Sequence, residues 1–282
     1  MVQPQYLVSV AARQTVDTWR VAAIKLLEHL PANQYELIVP RADVPLFRNN
    51  TPGEFAVSSE DDYVTEFSGT LRDKLGELNP RFGWYLQQFI KLEAVRRHSD
   101  LSRLVIWDAD TIPLVPLTLF SPEGEPVFYQ GKEHHQPYFE TITKLLGLEK
   151  VVDFSFVAQC FPLRGDWASA FFAELEGRHS VSWWQAIIDR IDPAEGSGFS
   201  EYETLGTFVN NRFAPLHFQA GQWTRRGYHH VSSPKKLLRS GAPQNVVNRF
   251  DFVAFEDWKR PKRKTTRIVK SLTKKIKPNL MS

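Results

Sequence analysis

Two spacings of apolar residues alternate along the N-terminal part of the chain. Residues 6–11 (YLVSVA) form a short, mostly apolar run, which predicts a buried strand. Between residues 14 and 30 the apolar side chains recur at helical spacing, and Pro31 ends this helix. Residues 35–39 (YELIV) predict a second strand. A strand, a helix and a strand in this order are typical of one half of a nucleotide-binding α/β sheet.

A third apolar run predicts the centre of the sheet. Residues 104–107 (LVIW) are apolar without alternation, as expected of a strand that is buried on both faces. A helix over residues 82–97 is predicted before this strand, and Pro113 prevents regular pairing after it. The polar segment 49–60 predicts a loop.

The C-terminal half of the chain predicts further elements of both kinds. Strands are expected at residues 126–130, 154–163, 216–219 and 246–255, and helices at 137–146, 167–176, 183–191 and 200–212. The whole pattern predicts an α/β fold with a single domain over residues 1–258, in which helices flank a central sheet. A separate tail is expected at residues 259–282.

Charge distinguishes the tail from the body. Ten of the 35 basic residues lie between residues 259 and 277, so the body holds fewer basic residues than its 32 acidic ones. The apolar residues of the tail recur at helical spacing, which favours a basic amphipathic segment that contacts a membrane surface. A disordered solubilising tail and a nucleic-acid-binding patch are the alternatives. We expect no nucleic-acid partner.

Composition excludes several other classes of protein. Cys160 is the only cysteine, so neither an intrachain disulfide nor a cysteine-based zinc cluster can form. No apolar run approaches the ~20 residues that span a bilayer. The N-terminus lacks the charged and apolar regions of a secretory signal. These features predict a cytoplasmic protein that is soluble or bound at the inner face of the membrane.

Asp108 and Asp110 directly follow the apolar run at residues 104–107. Ligands of open α/β sheets bind beyond the carboxyl ends of the strands, and side chains two residues apart in an extended segment point the same way. Two carboxylates placed there repel each other unless a cation joins them, and Mg²⁺ or Mn²⁺ takes carboxylate and phosphate oxygens. The pair therefore predicts a cation site that also holds a diphosphate. In the simpler alternative Asp108 caps a turn and Asp110 is a solvated loop residue.

Four segments together resemble a family of bacterial glycosyltransferase-like proteins found with surface-polysaccharide genes. They are YELIVPRADVPLF, GWYLQQFIKLEAV, WDADTIPL and SEYETLG, and they spread over residues 35–206. The resemblance implies a GT-A-like fold, with a Rossmann-type mixed central sheet, and a nucleotide-sugar donor. It also implies that Asp108 and Asp110 hold a divalent cation and that turnover requires Asp110.

The helix before the central strand carries the candidate donor contacts. Gln87 and Gln88 lie among apolar neighbours, and Lys91 is one turn further along, where its charge can reach a phosphate. Trp84 belongs to the same block, which matches the family pattern as a whole. Arg13 is a further donor candidate, in a segment after the first strand that is less polar than is usual in that family. The alternative for each helix residue is the polar edge of an amphipathic core helix.

A third group of candidates lies at the start of the helix predicted over residues 200–212. Ser200 and Glu203 have the spacing of a capping box, which gives Glu203 a structural role. Glu201 has no such role. We expect it to be an exposed acid that binds the acceptor, or that accepts a proton from the acceptor hydroxyl if the reaction inverts configuration. Tyr202 and Glu203 are further candidates for acceptor contacts.

Histidines supply the remaining candidates. GT-A enzymes often complete the metal shell with a residue from late in the chain, and His217 and His229 are available for this. A lone late histidine is more often a surface or core residue. His135 follows a predicted strand, where it can line an acceptor cleft.

These features favour a metal-dependent glycosyltransferase that uses Mn²⁺ or Mg²⁺. It would move a sugar from a nucleotide-sugar donor to a glycan or lipid-linked acceptor in surface-polysaccharide synthesis. A metal-dependent nucleotidyltransferase also places acids at a strand end, but such enzymes commonly use a Gly-rich loop near the first strand, and no glycine precedes Gly53. The third alternative is a non-catalytic protein that binds a membrane surface through the tail.

Overall fold

The apolar runs of the sequence form the centre of a mixed sheet. The computed structural model describes residues 2–76, 78–220 and 222–256. Its strands are β1 (Tyr6–Val10), β2 (Gln34–Val39), β3 (Phe55–Ser59), β4 (Leu104–Trp107), β5 (Thr111–Pro113), β6 (Val127–Tyr129), β7 (Cys160–Leu163), β8 (His217–Gln219), β9 (Trp223–Thr224) and β10 (Phe252–Ala254). Its helices are α1 (Val16–His29), α2 (Val44–Arg48), α3 (Asp61–Val64), α4 (Ser68–Leu75), α5 (Phe82–Arg97), α6 (Gln136–Leu146), α7 (Gly165–His179), α8 (Trp183–Arg190), α9 (Glu201–Phe213), α10 (Gly227–His230), α11 (Lys235–Arg239) and α12 (Gln244–Val247), with 3₁₀ turns at Arg13–Thr15 and Arg41–Asp43.

The main sheet has five strands in the order β3-β2-β1-β4-β7. β1 to β4 are parallel, and β7 pairs antiparallel with β4, with Cys160 opposite Trp107. The chain runs from β1 to β2 and β3 on one side and returns to place β4 on the other side of β1. The gap between the ends of β1 and β4 is thus the switch point at which ligands of open α/β sheets bind.

Both faces of the main sheet are apolar. Successive side chains of a strand point to opposite faces, and β1 and β4 carry apolar side chains at consecutive positions. Val8 of β1 and Ile106 of β4 pack in one core cluster, together with side chains of α5 and α7. Leu7 and Trp107 pack in a second cluster, together with side chains of α1. All four side chains are fully buried. The single-domain α/β fold predicted from the sequence, with a mixed central sheet flanked by helices, is confirmed.

Most of the predicted elements are confirmed, and α5 has the predicted bounds. The expectation that Pro113 prevents regular pairing is wrong, because Pro113 ends β5, which pairs antiparallel with β10. β5 is an edge strand, and edge strands tolerate proline. The loop predicted at residues 49–60 is wrong, because this segment contains β3. Only Phe55 of that edge strand is buried, so the apolar pattern of the segment is too weak to predict a strand. The strands predicted at 154–163 and 246–255 are wrong in part, since β7 and β10 occupy only the C-terminal portions of these segments. The end of α12 occupies the first two residues of the second segment.

The tail predicted at residues 259–282 lies outside the described residues, so its amphipathic character stays a prediction. Among the residues that the structure does describe, no helix is both long enough and apolar enough to cross a membrane.

Candidate functional site

A cleft of about 890 Å³ opens at the switch point. Residues that follow β1 line one side of it, and residues that follow β4 line the other. The start of α5, the segment before α6 and the start of α9 complete its walls. The lining side chains with polar groups include Gln14, Arg81, Gln87, Gln88, Lys91, Asp108, Asp110, Glu133, His135, Tyr138, Glu201, Tyr202, Arg225 and Glu256.

A tight turn holds Asp108 at the end of β4. Its backbone N–H donates to the carbonyl of Gln159 (2.9 Å), and its own carbonyl accepts from the N–H of Thr111 (3.0 Å). The carboxylate oxygen Oδ1 accepts from Lys91 Nζ (2.5 Å) and from the hydroxyl of Tyr202 (2.7 Å). Because both contacts fall on Oδ1, they fix the orientation of a carboxylate that is one-fifth exposed to the cleft.

Lys91 is the buried centre of the site. Its side chain is 4% exposed, and Nζ contacts Glu201 Oε1 at 2.7 Å as well as Asp108. Burial alone lowers the pKa of Lys91, but the carboxylates of Asp108 and Glu201 outweigh burial and raise the pKa above its ordinary value. Lys91 therefore stays charged and joins α5, α9 and the end of β4 through one cation.

Glu201 is buried, and the expectation of an exposed acid is wrong. Only 5% of the residue is accessible, because the first turn of α9 packs over Lys91. The Glu201 N–H donates to Gln88 Oε1 at 3.0 Å, so Gln88 fixes the start of α9. Burial raises the pKa of the Glu201 carboxyl, and Lys91 partly opposes this rise. The residue still lines the cleft.

Asp110 lies two residues further along the same turn and is partly buried. Its carbonyl accepts from the N–H of Phe255 (2.9 Å), and its Oδ1 accepts from the hydroxyl of Thr111 (3.3 Å). Burial, followed by the nearby carboxylates of Asp108 and Glu256, raises the pKa of Asp110 to about 7, although Lys91 opposes this rise. A local excess of negative charge of this kind is relieved by a cation.

The carboxylate oxygens at this turn suit a cation that takes its other ligands from phosphate. The described residues contain no group of three or more His, Cys, Asp or Glu side chains arranged to hold a metal. His217 and His229 are exposed and do not line the cleft, so the structure does not bring them to Asp108 and Asp110. Mg²⁺ and Mn²⁺ sites often use one or two carboxylates together with substrate phosphates and water. Asp108 and Asp110 fit that pattern and not a closed structural site.

Arg81 and Trp84 form the wall at the start of α5. The guanidinium of Arg81 stacks 4.1 Å from the centroid of the Trp84 ring and donates to Ser197 Oγ (2.6 Å). The ring nitrogen Nε2 of His135 lies 2.8 Å from the carbonyl oxygen of Ser197. Gln87 also faces the cleft from this helix. These contacts place a flat aromatic ring and polar groups in the wall of the cleft that also holds the aspartates.

Two predicted site residues lie elsewhere. Arg13 is 67% exposed and forms an ion pair with Asp43, while its neighbours Ala12 and Gln14 line the cleft. Glu203 is 1% exposed and does not line the cleft, so its prediction as an acceptor contact is wrong.

Glu203 instead connects α9 to the segment 150–156. It forms an ion pair with Lys150 and accepts from Ser155 Oγ (2.7 Å) and from the N–H of Phe156 (3.1 Å). The first half of the predicted capping box is confirmed, because Ser200 Oγ accepts from the Glu203 N–H at 3.3 Å. The carboxylate of Glu203 is thus engaged with Lys150, the Ser155 hydroxyl and the Phe156 N–H.

The structure adds residues that the sequence pattern does not indicate. Arg225 lines the cleft, forms an ion pair with Glu133 and lies 3.5 Å from Glu256. It comes from a segment with little regular secondary structure and no periodic pattern. Tyr138, on the inner side of α6, lines the same part of the cleft.

The comparisons give the class of this chain and no activity. The model of DUF6492, a family of unknown function, matches residues 9–233. The matched region includes the end of β1, all of β4 and α9, and both aspartates. The chain therefore belongs to this family. No curated protein matches it.

Proposed function

We propose that this protein is a metal-dependent glycosyltransferase. It would transfer a sugar from a nucleotide-sugar donor to a glycan or lipid-linked acceptor, in the synthesis of a surface polysaccharide. The observation that carries the proposal is the position of Asp108 and Asp110, which face a cleft of about 890 Å³ at the switch point of the sheet. A cleft of this size accommodates a nucleotide sugar.

Asp108 and Asp110 would hold Mn²⁺ or Mg²⁺. When bound, the cation would neutralise the negative charge of the departing diphosphate. Lys91 and Tyr202 serve as positioning residues, because both bind Oδ1 of Asp108 and leave its other oxygen available. Trp84 and Gln87 would contact the donor across the cleft, and Gln88 would act indirectly by holding the start of α9.

Glu201 and His135 would meet the acceptor. Both line the cleft with the aspartates, and Tyr202 joins them there. In an inverting reaction the acceptor oxygen bonds to the anomeric carbon while the bond from that carbon to the diphosphate oxygen breaks, and the hydroxyl proton passes to Glu201. Burial raises the pKa of the Glu201 carboxyl, which makes it a better proton acceptor than an ordinary glutamate.

The proposal also includes the place of the reaction. A soluble domain that contacts the inner face of the membrane through residues 259–282 would meet a lipid-linked acceptor there. The ten basic residues between 259 and 277 support this contact.

The first test is binding of nucleoside diphosphates. We expect one of UDP, GDP, CDP, ADP or dTDP to raise the melting temperature when Mn²⁺ is present and not when it is chelated. Asp110→Asn should lose this rise and the release of nucleoside diphosphate from the matching nucleotide sugar. The control is Asp73→Asn, which changes an exposed aspartate of α4 and should behave as wild type.

Two outcomes contradict the assignment. The first is turnover by Asp110→Asn at the wild-type rate. The second is release of pyrophosphate from a nucleoside triphosphate in place of nucleoside diphosphate from a nucleotide sugar, which would show a nucleotidyltransferase.

A further inference from the structure

A second cavity, of about 750 Å³, adjoins the cleft. His134 lines both cavities, so the two surfaces meet there. Helix α6 separates them: Tyr138 faces the cleft, and the next residue, Phe139, faces the second cavity. We name this second cavity the α6 groove. It is lined by side chains of α6 and by the segment 149–153.

The lining of the α6 groove combines an aromatic surface with many hydrogen-bonding groups. Phe139 and Val152 are its apolar side chains. Around them lie Glu140, Thr143 and Lys144, all exposed. A sugar ring has an apolar C–H face and a rim of hydroxyls, so a half-buried phenyl ring beside carboxylate, hydroxyl and amine groups matches its chemistry.

The charge of the groove favours an uncharged ligand. Acidic and basic side chains both line it. Lys150 is already paired with the buried carboxylate of Glu203, and its Nζ lies 5.4 Å from the centroid of the Phe139 ring. The groove therefore lacks the excess of free positive charge that would attract a phosphate or another polyanion.

Helix α9 connects the groove to the cleft through two ion pairs. Glu201 lines the cleft and contacts Lys91, whereas Glu203 contacts Lys150, which lines the groove. Residues two apart on a helix lie on nearly opposite sides, so one helical turn supports both cavities. The groove is thus held in a fixed position relative to Asp108.

We propose that the α6 groove binds the neutral oligosaccharide part of the acceptor that lies away from the reacting hydroxyl, with Phe139 as the ring against which a sugar stacks. This inference rests on the proposed function and assigns the acceptor its chemical class. His134, which lines both cavities, marks the path by which the reacting end of the acceptor enters the cleft.

The test compares two substitutions of a half-buried phenylalanine. Phe139→Leu keeps an apolar side chain against the core but removes the flat ring. Phe250→Leu is the control, because Phe250 is also half-buried and lies outside both cavities, beside His230. The probes are short linear neutral oligosaccharides of glucose, galactose and mannose, observed by saturation-transfer NMR.

We expect at least one of these oligosaccharides to bind the wild-type protein and the Phe250→Leu variant equally. Binding to Phe139→Leu should be about fivefold weaker, which corresponds to the ~1 kcal/mol of a specific aromatic contact. Phe139→Trp should restore it. The proposal is overturned if none of the oligosaccharides binds the wild-type protein, or if Phe139→Leu binds as well as the control.

The same samples separate this inference from the proposed function. A rise of the melting temperature with Mn²⁺ and a nucleoside diphosphate reports on the cleft alone. If that rise is normal and oligosaccharide binding is unchanged in Phe139→Leu, the groove assignment fails by itself. If no nucleoside diphosphate raises the melting temperature of the wild-type protein, the transferase proposal fails.

Discussion

Lys91 connects the two halves of the site through a single buried charge. Its ammonium lies between Asp108 and Glu201, at 2.5 and 2.7 Å, and almost no water reaches it. Removing one partner of a buried ion pair leaves the other charge without compensation, which costs more than the pair itself contributes. The stability of the ligand-free protein therefore depends on this lysine as well as on the apolar core.

Lys91→Met should lower the free energy of unfolding by about 3 kcal/mol, because it leaves buried carboxylates without their cation. Adding Glu201→Gln to this variant should recover part of the loss, since one unpaired charge is then removed. Urea unfolding measures both effects. Lys236→Met, at an exposed lysine of α11, is the control and should change stability by no more than about 0.5 kcal/mol. A loss of the same size in both single variants would contradict a buried network.

Asp110 predicts a pH dependence of stability. Burial is the main cause that raises its pKa from the ordinary 3.8 to about 7. The folded protein therefore holds this proton more tightly than the unfolded chain, and stability is lost as pH rises from about 4 to about 7. With metal removed by a chelator, Asp110→Asn should melt at a higher temperature than wild type at pH 7, and the difference should vanish toward pH 4. An equal difference at both pH values would contradict this origin.

Some of the site residues could be predicted from the sequence and others could not. Asp108, Asp110 and Lys91 stand out because polar groups follow or interrupt apolar runs, and the structure brings all three to one cleft. The exposure of Glu201 could not be predicted, since it depends on which helix packs over the start of α9. Arg225 carries no local signal, because only the folded chain brings it to Glu133.

Among the elements, α9 has a position that several close contacts fix. Ser200 caps it, Gln88 fixes its first N–H, and Gly206 lies against Phe156. A methyl group on Gly206 would lie 1.9 Å from Cγ of Phe156, so this helix approaches the 155–156 segment as closely as a glycine permits. The close approach places Glu201 and Tyr202 at the cleft.

Gly206→Ala should therefore destabilise the protein, by about 1–3 kcal/mol as is typical of overpacked cores. Gly177→Ala is the matched control, because Gly177 also lies in a helix but an added methyl would meet nothing within 4 Å. That variant should gain about 0.5–1 kcal/mol from the higher helix propensity of alanine. Thermal or urea unfolding compares the two. Equal effects would show that α9 does not pack tightly against Phe156.

The strength of the local pattern determined which elements could be predicted. α5 has a long apolar pattern and the predicted bounds. β3 was missed because an edge strand with one buried residue shows little alternation. β7 and β10 were predicted too long, because apolar loops that pack against the core have the same composition as strands.

At the scale of the whole molecule, the order of the strands creates the site. β4 lies beside β1 although most of the chain between them is used for β2, β3 and five α-helices. This order brings the segment after β1 and the turn after β4 to one crevice. The α/β class and the place of the aspartates follow from local patterns, but the composition of the other walls depends on contacts between distant segments. The sequence therefore predicts one side of the cleft better than the other.

The central claim is that Asp108 and Asp110 together hold a divalent cation beside a diphosphate. A crystal of the protein grown with Mn²⁺ and the nucleoside diphosphate that binds best tests it directly, through the anomalous scattering of manganese. We expect one strong peak within ligand distance of carboxylate oxygens of both Asp108 and Asp110, with a diphosphate oxygen on the same ion. A diphosphate bound in the cleft with manganese elsewhere, or contacted by Lys91 without any ion, would contradict the claim.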